Sequence, residues 1–87
     1  MNCSDLKIGD KIIRSIGEGN KACKMTMIVK DKTDKLIVCS ALQPDGSEFH
    51  GGWEFDLKTG AEEDEYLRWG VKYGATGSFI ESKVQEQ

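Results

Sequence analysis

Apolar and polar residues alternate along most of this chain in short runs broken by glycine. Trp53, Phe55 and Leu57 alternate with Glu54 and Asp56, the period of a half-buried strand. Cys23, Met25, Met27 and Val29 likewise share one face, Lys24, Thr26 and Lys30 the other, with Ile28 half-exposed. The same reasoning predicts strands over Asp10 to Ile16, Lys35 to Leu42, Ser47 to His50 and Thr76 to Ser82. One short helix or 3-10 turn is predicted near 64–69, where Asp64 and Glu65 suit a helix start and Gly70 its end.

Turn chemistry divides the strands. Ten glycines and one proline punctuate the chain. Pro44-Asp45-Gly46 presets a turn, because proline fixes φ and glycine accepts a positive φ. Gly51-Gly52 predicts a bulge or sharp bend between Ser47–His50 and the Trp53 strand. Asp56 can accept backbone N–H groups in the loop that follows, and Gly60 can take the left-handed position that closes it. Many short strands with glycine-rich turns predict a mainly β fold. The expected form is a single small antiparallel SH3-like barrel, or barrel-like sheet, of about six strands. Residues 1–87 form one domain, with 83–87 a frayed tail. The predicted core is Ile12, Met25, Met27, Val29, Leu36, Val38, Trp53, Phe55 and Phe79, with Leu67 beside it.

Composition narrows the function. At 87 residues the domain buries only about 60–65% of its unfolded surface, so its core is thin. A net charge of −3 disfavours duplex nucleic acid as partner, because phosphate neutralisation supplies most of that affinity. No apolar run approaches the ~20 residues that span a bilayer. The N-terminus lacks the apolar run of a signal peptide, so a cytoplasmic location is expected, host cytoplasm if a phage encodes the chain. Three cysteines without CxxC spacing and a single histidine, His50, make no zinc set, and no metal or cofactor is expected. Cys23 and Cys39 read as small hydrophobes within strands and Cys3 as part of a loose terminus.

Two family resemblances run through these residues. Leu6-Lys7-Ile8-Gly9-Asp10-Lys11-Ile12, Lys24-Met25-Thr26-Met27-Ile28-Val29 and Leu36-Ile37-Val38-Cys39 resemble the first half of small uncharacterised SH3-like barrel proteins. Trp53-Glu54-Phe55-Asp56, Thr59-Gly60-Ala61-Glu62, Trp69-Gly70 and Thr76-Gly77-Ser78-Phe79-Ile80 resemble the tail of a family of short bacterial and phage proteins. In that pattern the Cys strand runs almost directly into the Trp strand. Here residues 40–52 intervene as an extra hairpin, to which the resemblance assigns nothing. The tail is also similar to phage proteins that sequester nucleotide-derived immune signals, the Thoeris anti-defence sponges. That resemblance implies a non-catalytic binder of a small anion.

The residues themselves offer a candidate site. Arg14 and Arg68 are the only arginines, suited to bidentate capture of phosphate or carboxylate. Against that, Arg68 has Asp64 and Glu65 within reach of an ordinary surface ion pair. Trp69 and Tyr73 could stack on a base, with Tyr66 completing a rigid aromatic edge. Trp53 divides between core and platform. The acidic run 62–65 reads as a solvated face, and His50 as a rim residue rather than a general base. No nucleophile–base pair is visible, so no catalytic residue is assigned and an enzyme, such as a small hydrolase, ranks lowest. The leading expectation is sequestration of a small anionic, nucleotide-like ligand through Arg14, Arg68, Trp69, Tyr73 and Tyr66. The alternative is an SH3-like interaction module that binds a peptide or protein partner through an aromatic groove. Exposed strand edges also allow a homo-oligomer.

Overall fold

A computed structural model of the protein describes residues 2–17, 23–63 and 78–85, except the side chain of His50. The described residues form five strands: β1 (Lys11–Ile16), β2 (Cys23–Lys32), β3 (Leu36–Leu42), β4 (Glu48–Asp56) and β5 (Phe79–Lys83). They make one antiparallel sheet in the order β4-β3-β2-β1-β5. A four-stranded meander whose fifth strand returns to the first is the SH3-like arrangement that the sequence predicts. The sheet curls until its edges approach. Ala61 and Glu62 then bridge them as a sixth, two-residue strand, Glu62 against Phe55 and Ala61 against Phe79. The Asp56 N–H donates to the Ala61 carbonyl at 2.8 Å, and the Glu62 N–H to the Ser78 carbonyl at 2.9 Å. The result is barrel-like without a continuous closing ladder. The helical turn expected near 64–69 lies outside the described residues, as does Leu67.

The turns follow the local chemistry. Asp56 accepts the N–H groups of Lys58 and Thr59 at 2.8 and 2.9 Å, and Gly60 has φ +77°. Those two N–H groups, Thr59 first, hold the Asp56 carboxyl below the usual carboxylate range. Gly46 has φ +89° after Pro44-Asp45, and its N–H donates to the Gln43 carbonyl at 2.9 Å. The Gly51-Gly52 bulge is present. Cys39 opposes Trp53 and Ala41 opposes Phe49, so β4 carries extra residues between two successive inward positions.

The core is Cys3, Leu6, Ile12, Met27, Val29, Ile37, Cys39, Ala41, Phe55 and Ile80, with Met25, Trp53 and Leu57 packed against it. Several assignments differ from the sequence reading. In β3 the inward residues are Ile37, Cys39 and Ala41, while Leu36 and Val38 are half-buried. Leu36, Ile37 and Val38 form an unbroken apolar run, so alternation alone could not set its phase. Phe79 is half-buried and Ile80 takes the inward place opposite Arg14. Cys3 is fully buried rather than loose: its N–H donates to the Leu57 carbonyl at 2.7 Å, and Lys32 Nζ ties down the Ser4 and Leu6 carbonyls. Cys23, by contrast, is exposed. Nor does fraying begin at 83, because Lys83 pairs with Ile12 and the Val84 N–H donates to the Lys11 carbonyl at 2.8 Å.

Candidate functional site

Arg14 lies two residues after Ile12 on β1, so alternation turns it into the barrel. Every arm of its guanidinium is occupied. Nη2 forms an ion pair with Glu62, Nε donates to Ser78 Oγ at 3.1 Å, and Nη1 meets Met25 Sδ at 3.4 Å. Ser78 Oγ in turn donates to Glu62 at 3.0 Å. The Arg14 and Glu62 side chains are 9% and 4% exposed. Rings wall the cation: its carbon lies 5.8 Å from the Phe55 centroid and 6.0 Å from that of Trp53, within cation–π reach.

This corrects the expectation for Arg14. It is buried rather than exposed, and its charge is paired with Glu62 inside the barrel. Glu62 is corrected with it: the acidic run starts with a buried carboxylate, not a solvated one. Gly60 places Glu62 there. Its left-handed turn sends the chain back antiparallel to β4, and the two-residue bridge aims Glu62 inward beside Phe55. Met25 and Ser78 were not recognised as its partners either.

Trp53 links this interior to the surface. It is half-buried and its ring lies against the backbone of Gly51. A Cβ built on Gly51 would stand 2.5 Å from the ring, so no side chain fits there. Phe49 packs against the same ring, with ring centroids 6.0 Å apart and planes tilted by 44°. Phe49 is 56% exposed. The bulge therefore produces a ledge of two rings backed by Arg14, with exposed Glu54 and half-buried Glu48, paired with Lys30, on the same strand. Phe49 was absent from the predicted site. Its signal in the sequence was a large apolar residue placed just before Gly51-Gly52, where a strand must bend.

The other predicted site residues, Arg68, Trp69, Tyr73 and Tyr66, lie outside the described residues. The segment that carries them runs between Glu63 and Ser78. Among the described residues no group of three or more His, Cys, Asp or Glu side chains is placed to hold a metal. No described helix is long and apolar enough to cross a membrane. Of the thiols, Cys39 is pushed up to about 12 by burial, with neighbouring Cys3 adding to the shift, and burial raises Cys3 as well. Neither is poised as a nucleophile.

No protein-family model, no curated protein and no solved structure matches the chain. The functional reading therefore rests on its own geometry.

Proposed function

We propose that this chain is a non-catalytic binding domain that holds an apolar or aromatic side chain of a protein partner on the Phe49–Trp53 ledge. The observation that carries this reading is Phe49. It is a large ring more than half exposed, in register with a buried Ala41 and tilted against a half-buried Trp53. Rigid aromatic groups give contact area at low entropy cost and dominate binding surfaces. Barrels of this arrangement commonly present such rings to extended peptides.

Sequestration of a nucleotide-derived anion, as in a phage anti-defence sponge, is the less supported reading. It loses Arg14 as an open cation and rests on Arg68, Trp69, Tyr66 and Tyr73 alone. Panning a displayed peptide library against the protein, with Phe49→Ala as counter-bait, separates the two. Peptides that share an aromatic or aliphatic anchor and fail on Phe49→Ala are the expected outcome. The reading is overturned if no such peptides emerge while cyclic dinucleotides or ADP-ribose isomers raise the melting temperature of wild type and variant alike.

A further inference from the structure

The β2–β3 ladder stops short of the end of β2. Its last pair is Met27 with Ala41, whereas β2 begins at Cys23. On its other side this part of β2 stays paired with β1, Thr26 against Ile13 and Lys24 against Ser15. β3 meanwhile turns away into the next hairpin, where the Gln43 N–H donates to the Ser47 carbonyl at 2.8 Å. The splay opens a groove of about 630 Å³. Met25, Ala41, Leu42 and Pro44 give it an apolar lining, and Lys11 and Lys24 stand at its rim.

Backbone direction decides which groups face the groove. Val29 donates to the Asp10 carbonyl and accepts from the Gly9 N–H, so its amide groups point towards β1. Alternation puts those of Met25 and Met27 on the same side, and those of Lys24, Thr26 and Ile28 on the β3 side. Ile28 meets Ser40 there. The Met27–Ala41 pair is bounded by the Leu42 N–H meeting the Thr26 carbonyl, so the open groups begin with the Thr26 N–H and the amide groups of Lys24, which no described strand pairs on that side.

We propose that this groove takes an extended segment of a partner protein with alternating acidic and apolar residues, which adds a short strand to the open edge of β2. An unpaired strand edge is a template for a further strand, and its main-chain hydrogen bonds supply affinity that does not depend on sequence. Side chains on one face of the added strand would meet Met25 and Ala41. Those on the other face would meet the lysine rim. Lys24 already bonds both carboxylate oxygens of Glu81, at 2.8 and 2.9 Å, but in an exposed pair that a second carboxylate can share. A second copy of this chain is the poorer occupant. Two-fold pairing of β2 edges would set the lysines of one copy against those of the other. The groove is separate from the ledge, since neither Phe49 nor Trp53 lines it.

Amide hydrogen exchange of the full chain, read by NMR, tests the open edge first. The Lys24 and Thr26 amides should exchange much faster than those of Met25 and Met27. Slow exchange at both would mean that the edge is already paired and would overturn the proposal. A short acetylated, amidated peptide of alternating glutamate and valine is then titrated in. It should slow exchange at Lys24 and Thr26 and shift resonances along the groove. Lys24→Glu, an exposed change, should weaken this peptide roughly tenfold and make a lysine–valine peptide the better ligand. No shift up to the solubility limit, equal binding of both peptides, or shifts centred on Phe49 and Trp53 would each sink the idea. So would concentration-dependent protection of Lys24 and Thr26 without peptide, which would assign the edge to self-association.

Discussion

The interior has two parts that are held together differently. One is dry: Leu6, Ile12, Val29, Ile37, Cys39, Phe55 and Ile80 pack under the N-terminal arm, which Cys3 and Lys32 pin in place. The other is built around a charge: Arg14, Glu62 and Ser78 share hydrogen bonds between two rings and a thioether. The dry part gains from burial, roughly 25 cal/mol per Å² of apolar surface, and many residues share the gain. The charged part must first overcome the desolvation of two ions, which costs several kcal/mol each in a protein interior. Its benefit is therefore positional. Arg14 on β1 meets Glu62 on the bridging pair and Ser78 at the threshold of β5, so one guanidinium fixes three separate pieces of chain. Apolar side chains could fill that volume, but they would tolerate a slipped register.

This contrast predicts the largest effect at Glu62. Glu62→Ala should cost about 3–5 kcal/mol, because it leaves the Arg14 charge buried and unpaired. The double variant Arg14→Met with Glu62→Leu should recover most of that loss. Urea denaturation measures both. If the double variant is as unstable as Glu62→Ala, the pair supplies net stability as well as position, and the two parts of the interior are held together in much the same way.

In the dry part the effect should depend on phase. Ile37→Ala should cost about 2–5 kcal/mol, since Ile37 is fully buried. Leu36→Ala, one residue away on the other face, should cost clearly less. Equal losses would mean that β3 is packed on both faces and that the inward phase of Ile37, Cys39 and Ala41 is not what organises the core.

That phase was the main thing the alternation could not supply. Where polar residues interrupt the apolar ones, as in Met25, Met27 and Val29 or in Trp53 and Phe55, pattern and structure agree on the inward face. Leu36-Ile37-Val38 has no such interruption, and only pairing with β2 and β4 fixes it. The turns were readable because their chemistry is local: Asp56 with Gly60, Pro44 with Gly46, and the Gly51-Gly52 bulge. The site was less readable because its contacts are distant in sequence. Arg14 and Glu62 meet across the barrel, and nothing near either residue announces the other. Buried Cys3 was hidden for the same reason, its partners being Leu57 and the core.

The thiols give a smaller effect that sharpens the boundary of the dry part. Cys39, raised to about 12, and Cys3, raised by burial, should stay protonated and resist alkylation at mildly alkaline pH. Exposed Cys23 should react alone in the native protein, with the other two following only as it unfolds. Mass spectrometry after a short iodoacetamide pulse counts the labels. A second rapid label would show that the N-terminal arm opens readily and that the dry part is less sealed than its burial implies.

The smallest effect on stability should come from Phe49→Ala. A ring that is 56% exposed has little burial to lose, and the expected change is within about 0.5 kcal/mol. This near-neutrality is informative because the sequence had a simpler use for the residue. Gly51 is kept bare by Trp53, not by Phe49, so Phe49→Ala leaves that contact in place. Paired thermal melting and peptide binding on Phe49→Ala decide the matter. Unchanged melting with lost binding places recognition on the ledge beside the charged part of the interior. A loss above about 2 kcal/mol, well outside the range of ordinary surface substitutions, would instead make Phe49 a packing residue and return the search for a binding surface to the β2 groove.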